Sequence, residues 1–272
     1  MTVRALWKAW AFVWKDLLTD ISYRVAFLGQ LVFVMFLVGA FYFLGETFKG
    51  AQVPALQRYG GQYFPFVLVG VAFSSYLGVA VRSFADTIRS AQVLGTLEAL
   101  LATPTPAGQI VVFSSLYAFL ATSMRVVLIL LAGALFFGVD FGRANWAGAV
   151  LALVLTVLSF SSLGILSAAV VLAFKRADPS AWIVQGFSYL LGGVYYPVSV
   201  LPGWGKALAN LLPITHSLEA MRMLLLRGAS VEEVAGSLVA LVVFLLIAGP
   251  LSMLAFLWAL RRGRRDGSLS HF

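Results

Sequence analysis

Cysteine is absent from this 272-residue sequence, and histidine occurs only twice. Without thiols the chain has neither disulfides nor thiolate metal sites, and His216 and His271 lie too far apart for a zinc-type pair. Charge is scarce as well. Asp, Glu, Lys and Arg together make up 11% of the chain, against roughly a quarter in a soluble domain. No phosphate-binding loop occurs: Gly203-Trp-Gly-Lys206 has neither the spacing nor the Ser/Thr of a Walker A motif. A Gly-x-Ser-x-Gly elbow is missing too. Glu98 and Glu219 are single carboxylates in separate loops, so they form no acid/base pair. By sequence, then, the chain is not an enzyme; it has no catalytic or metal-ligating set and binds no cofactor of its own.

What the chain does have is apolar length. It is 61% hydrophobic, with a mean hydropathy of +0.95. The apolar residues fall in six blocks: Val25 to Leu44, Tyr63 to Val81, Ile110 to Val139, Trp146 to Phe174, Ala181 to Tyr196, and Val234 to Leu260. About 20 apolar residues cross a bilayer core as a helix, and lipid-exposed backbone permits only helices or closed barrels. The reading is an all-α membrane protein with six transmembrane helices, although the fifth block is short and rich in Gly and Tyr. Only one block contains a charge, Arg125.

Charge placement gives an orientation. With both termini inside, twelve Lys and Arg lie in cytoplasmic segments and six in outer loops. Basic residues favour the inner side, so both termini are expected on the cytoplasmic side. The net charge of +8 is then a topology signal rather than a footprint for nucleic acid, because no clustered basic soluble face exists. The first apolar run is too long for a signal-peptide h-region and leads into five more, so the N-terminus is read as retained.

Residues 1–22 read as an amphipathic helix lying at the membrane surface. Trp7, Trp10, Trp14, Leu17 and Ile21 follow helical spacing on one side, with Arg4, Lys8 and Lys15 on the other. The six-span domain runs from 23 to 262 and a cytoplasmic tail from 263 to 272. Thr105-Pro106 and Asp178-Pro179 place an N-cap and a first-turn proline at the third and fifth spans. Ser230-Val-Glu-Glu233 is a capping box that opens the sixth. Between the fifth and sixth spans, Pro197, Pro202 and Pro213 divide residues 197–226 into two short helices. Each is too short to span and too apolar for an exposed loop, so a re-entrant or interfacial pair on the outer side fits them. The only sizeable inner loop, Arg82 to Gln109, holds a helix over 84–102 with Leu94, Leu97 and Leu101 in one stripe.

Within that loop, Gly95-Thr-Leu-Glu-Ala-Leu-Leu-Ala-Thr-Pro104 resembles the internal-loop signature of ABC type-2 exporter permeases. Leu201-Pro-x-Trp, Leu212-Pro-x-Thr and Glu219-x-x-Arg222 resemble the family's second signature, between the fifth and sixth spans. The likeness covers nearly the whole chain. One departure is that Ser90, Ala91 and Gln92 stand where the family often carries charges before the Gly. The resemblance implies a half-transporter that pairs with a second copy, a homodimer, and with two copies of a separate ATPase subunit holding ATP and Mg. It would export an amphipathic, lipid-linked or polysaccharide substrate. It also implies that 84–102 is the coupling helix, with Gly95 allowing close approach, Leu97 and Leu101 anchoring an apolar contact, and Thr96 and Glu98 facing the ATPase. Two other classes were weighed. A stand-alone secondary transporter or an intramembrane lipid-modifying enzyme would usually carry acids or histidines at membrane depth, and all eleven acids here fall outside the blocks.

Six residues within the spans are candidates for a substrate path or gate: Arg125, Tyr76, Gln185, Tyr189, Tyr195 and Tyr196. Arg125 is either such a group or a structural cation that pairs or snorkels. The tyrosines and Gln185 either line a path for an amphipathic substrate or serve ordinary helix packing.

Overall fold

The computed structural model describes Trp14 and residues 24–47, 54–93, 107–174 and 179–265. Among the described residues all regular structure is helical. The surface helix expected over 1–22 lies outside them except for Trp14, as does most of the tail.

Helix α1 is Arg24–Thr47, followed by a 3-10 segment, Pro54–Tyr59. Helix α2 is Tyr63–Val93, α3 Ala107–Phe137, and α4 Trp146–Phe174. Helix α5 is Pro179–Leu191; a 3-10 turn, Val198–Val200, leads to α6, Gly203–Leu211. Helix α7 is Pro213–Arg222, continued by a π turn, Met223–Arg227, and α8 is Ala235–Arg265. Helices α2, α3, α4 and α8 are each long and apolar enough to cross a membrane.

Helix α2 is the hub. It packs against α1, α3, α4, α5 and α7, and is buried on almost every side, whereas α8 buries only the side facing α4 and α7. Helix α3 shows a stripe of exposed Leu116, Leu120, Met124, Leu131 and Leu135, spacing that one helix face presents to lipid or a partner. The core holds Phe66, Tyr76, Phe84, Phe160, Leu218 and Phe256, all with side chains almost fully enclosed.

Caps explain where the elements start. At the head of α4, the Asn145 side chain accepts from the Gly148 N–H at 3.0 Å, and its amide donates to the Ala229 carbonyl at 3.0 Å. The capping box before α8 forms reciprocally. The Ser230 N–H donates to Glu233 at 3.1 Å and the Glu233 N–H to Ser230 at 3.3 Å.

Two boundaries differ from the sequence reading. The break expected at Arg82 is absent, and α2 runs unbroken to Val93, because no Pro or Gly interrupts the chain after Gly78. Phe84, expected to open a free-standing helix, is instead packed inside the bundle against Phe119, with ring centroids 6.3 Å apart. The fifth block is also shorter than its apolar run. Helix α5 stops at Leu191, where Gly192 and Gly193 follow, the latter at φ +77°.

Candidate functional site

The end of the bundle at Tyr63 is organised around one buried cation. Arg222, at the end of α7, is 3% exposed. Its Nε donates to the Phe66 carbonyl at 3.0 Å, Nη1 to the Gly193 carbonyl at 2.8 Å, and Nη2 to the Val194 carbonyl at 2.9 Å. The guanidinium also lies over the Phe66 ring, 3.5 Å from its centroid. Five donors in a fixed plane let one side chain hold the first turn of α2 and the turn after α5 to the same helix. Gly70 makes room for this. A Cβ there would sit 2.3 Å from both Arg222 Nη2 and the Val194 carbonyl oxygen.

One turn earlier on α7, Glu219 faces the first outer loop. Its carboxylate is 3.0 Å from Arg58 and accepts from the Tyr59 hydroxyl. Burial, and after it the neighbouring Glu219 carboxylate, hold the Tyr59 hydroxyl well above the usual tyrosine range, so it stays a donor. Helix α7 is further tied to α4 by a buried Thr156–Ser217 hydroxyl pair at 2.7 Å, and to α6 by His216 Nε2 against the Asn210 carbonyl at 2.9 Å. His216 is thus a link between the two short helices.

A second polar cluster lies between α2 and α5. Arg82 donates to Gln185 at 2.7 Å, Gln185 donates to the Tyr189 hydroxyl at 3.1 Å, and that hydroxyl donates to the Ser74 carbonyl at 3.2 Å. This chain runs from Arg82, toward the Val93 end of α2, to Ser74 in the middle of that helix. Gln185 and Tyr189, singled out from sequence, are therefore brought together, with Arg82 added.

The other four candidates are placed elsewhere. Tyr76 is 1% exposed, turned to α3, where it donates to Ser123 at 2.8 Å. Arg125 is half-buried on α3, about 18 Å along the helix from Phe137. Tyr195 stacks on Phe41, with centroids 5.9 Å apart, and Tyr196 donates to the Leu190 carbonyl. Gly95, Thr96, Leu97, Glu98 and Leu101 lie outside the described residues. Among the described residues no group of three His, Asp or Glu side chains could hold a metal ion.

Sequence reasoning counted Arg58 as outer-loop charge and read Glu219-x-x-Arg222 as part of a family signature, but missed the Arg222 cluster as a unit. The available signal was the i, i+3 spacing of Glu219 and Arg222.

A family model described as ABC-2 type transporter matches residues 4–226. Relatives named inner membrane transport permease YadH, from Escherichia coli K12, Escherichia coli O157:H7 and Shigella flexneri, are 27% identical over 165 residues. The match takes in 60% of this chain and 63% of each relative, so the chain spans a little under two thirds of their length.

Proposed function

The chain belongs to the ABC-2 type transporter family, and from that premise we propose that it is the membrane subunit of an ATP-driven exporter. In this reading two copies pair, each bound by a separate ATPase subunit. They move an amphipathic, lipid-linked or polysaccharide substrate outward across an inner membrane, with both termini in the cytoplasm. ATP reaches this chain only through contacts that differ between its two states.

The observation that carries the proposal is the reach of α2. Its 31 residues extend about 46 Å, well beyond a hydrocarbon core of about 30 Å. The outer first turn is gripped by Arg222, and the inner end leads straight into the Gly95-Thr-Leu-Glu98 signature. A push on that signature is thus delivered along one stiff helix to the outer cluster. The polar chain Arg82–Gln185–Tyr189 flanks this helix and is the proposed start of the substrate path. Arg125, Tyr76, Tyr195 and Tyr196 are assigned to helix packing and gating around it.

Depth supports six crossings with a re-entrant pair. Val194 lies against Gly70, about 10 Å down α2 from Tyr63, and Ser217 is bonded to Thr156, about 15 Å down α4 from Trp146. In this reading α7 begins inside the bilayer and rises to the outer surface.

The test is ATPase activity and export in complexes reconstituted with the cognate ATPase. A buried interfacial charge without its partner costs several kcal/mol, so Glu98→Arg should uncouple the two activities more than Glu98→Gln, and Leu97→Asp should weaken assembly. Unchanged export and ATPase activity in both Glu98→Arg and Leu97→Asp would move the docking site elsewhere.

A further inference from the structure

We propose that Arg58 and Glu219 form a releasable strap that positions the first outer loop over α7, while Arg222 joins α7, the turn after α5 and the first turn of α2 into one moving unit. The inference rests on the exporter reading only for its purpose, since the contacts themselves are independent of transport.

The two halves of the cluster differ in kind. Arg222 is enclosed, and its bonds go to main-chain carbonyls that no side-chain rotation can withdraw. Pulling the guanidinium away would leave Gly193 and Val194 carbonyls short of a donor in a dry site, which is costly. The elements it grips must therefore shift together. Arg58 is the opposite case. Its side chain is 63% exposed and its contact is with a side chain, so water can replace Glu219 around the guanidinium, while the carboxylate, 22% exposed, keeps the Tyr59 hydroxyl. An ion pair with one partner exposed in this way opens more readily than the enclosed Arg222 contacts.

Geometry makes the strap matter. The 3-10 segment of the first outer loop buries Leu56 and Tyr59 against the outer end of the bundle. Tyr59 packs on Phe66, with centroids 5.1 Å apart, and donates to Glu219. The loop thus covers the Arg222 site and is held on its far side by Arg58. Movement of α7 away from the loop breaks both the Arg58–Glu219 and the Tyr59–Glu219 contacts, whereas the Arg222 contacts need not break. Glu219 and Arg222 point in these two directions because they sit three residues apart on α7.

The chain's lack of cysteine makes the test direct. Leu56→Cys reports on the loop and Ala152→Cys, fully buried on α4, reports on the bundle. Each is probed with a membrane-impermeant maleimide on full-length protein in proteoliposomes. In an Arg58→Glu background the Leu56→Cys site should label about two- to five-fold faster, the range expected for loss of an exposed ion pair. Glu219→Gln should act in the same direction, Arg58→Lys should stay near the parent rate, and Ala152→Cys should be unchanged throughout. Equal labelling of Leu56→Cys in Arg58→Glu and parent would overturn the strap. A parallel rise at Ala152→Cys would do so as well, because it would mean general loosening. Neither result depends on an ATPase, so the exporter reading stands or falls separately.

Discussion

Arg222 shows how a single charge is kept in an apolar place. Removing a cation from water is expensive, and this one is compensated by three carbonyls and an aromatic face. Replacing it with an isosteric apolar chain removes the donors but leaves the carbonyls of Gly193 and Val194 buried. Each unsatisfied acceptor costs about 1–3 kcal/mol, so Arg222→Met should lower stability by roughly 2–5 kcal/mol. Arg222→Lys should fall between, since an ammonium lacks the planar fork and stacks poorly. The readout is the thermal midpoint of detergent-solubilised protein followed by tryptophan fluorescence. A midpoint for Arg222→Met equal to the parent would show that the carbonyls find other donors. From sequence the Glu219-x-x-Arg222 spacing was legible as a signature, but its direction was not. That depended on Phe66 and Gly193, more than 25 residues away along the chain on either count. For Tyr59, nothing local in the sequence says that the partly buried Glu219 carboxylate lies against it.

At the scale of elements, boundaries set by local chemistry were readable, and those set by packing were not. The Ser230–Glu233 box and Pro213 as the first residue of α7 stand where residue spacing puts them. The end of α5 does not follow from hydropathy, because Val194 and Tyr195 are as apolar as what precedes them. It follows from the Arg222 grip on the turn and from the space at Gly70. Likewise α2 passes Arg82 unbroken because Phe84 has a packed site on Phe119, which no charge count reveals. Gly70 offers a contrast among glycines. A Cβ there meets a backbone oxygen at 2.3 Å, whereas one at Gly39 on α1 meets nothing within 4 Å. Overpacking of this kind costs about 1–3 kcal/mol, while a helical Gly→Ala in open space gains up to about 1 kcal/mol. Gly70→Ala should therefore lower the thermal midpoint and Gly39→Ala should hold or raise it. Equal behaviour of the two variants would mean that the α2–α5 approach is looser than the distances imply.

For the whole molecule the decisive property is sidedness, because the proposed exporter needs its energy input and its exit on opposite faces. The ends of α2 already separate two chemistries, the Arg222 cluster at Tyr63 and the Arg82 chain toward Val93. Basic residues are in excess at the Arg82 end, and the proposed orientation therefore sets that end in the cytoplasm. Helix α6 then lies outside, with Lys206 exposed on it, while Leu225, in the π turn after α7, is 1% exposed and enclosed by the bundle. These two positions differ in burial but belong to the same outer segment, so they separate topology from packing. With an impermeant thiol reagent added outside intact cells, Lys206→Cys should label readily and Leu225→Cys should remain protected. Adding detergent to dissolve the membrane should leave Leu225→Cys protected as well, since protein rather than lipid covers it. Labelling of Lys206→Cys only after the cytoplasmic face is opened would invert the chain, placing the Arg222 cluster on the ATPase side and removing α2 as the lever.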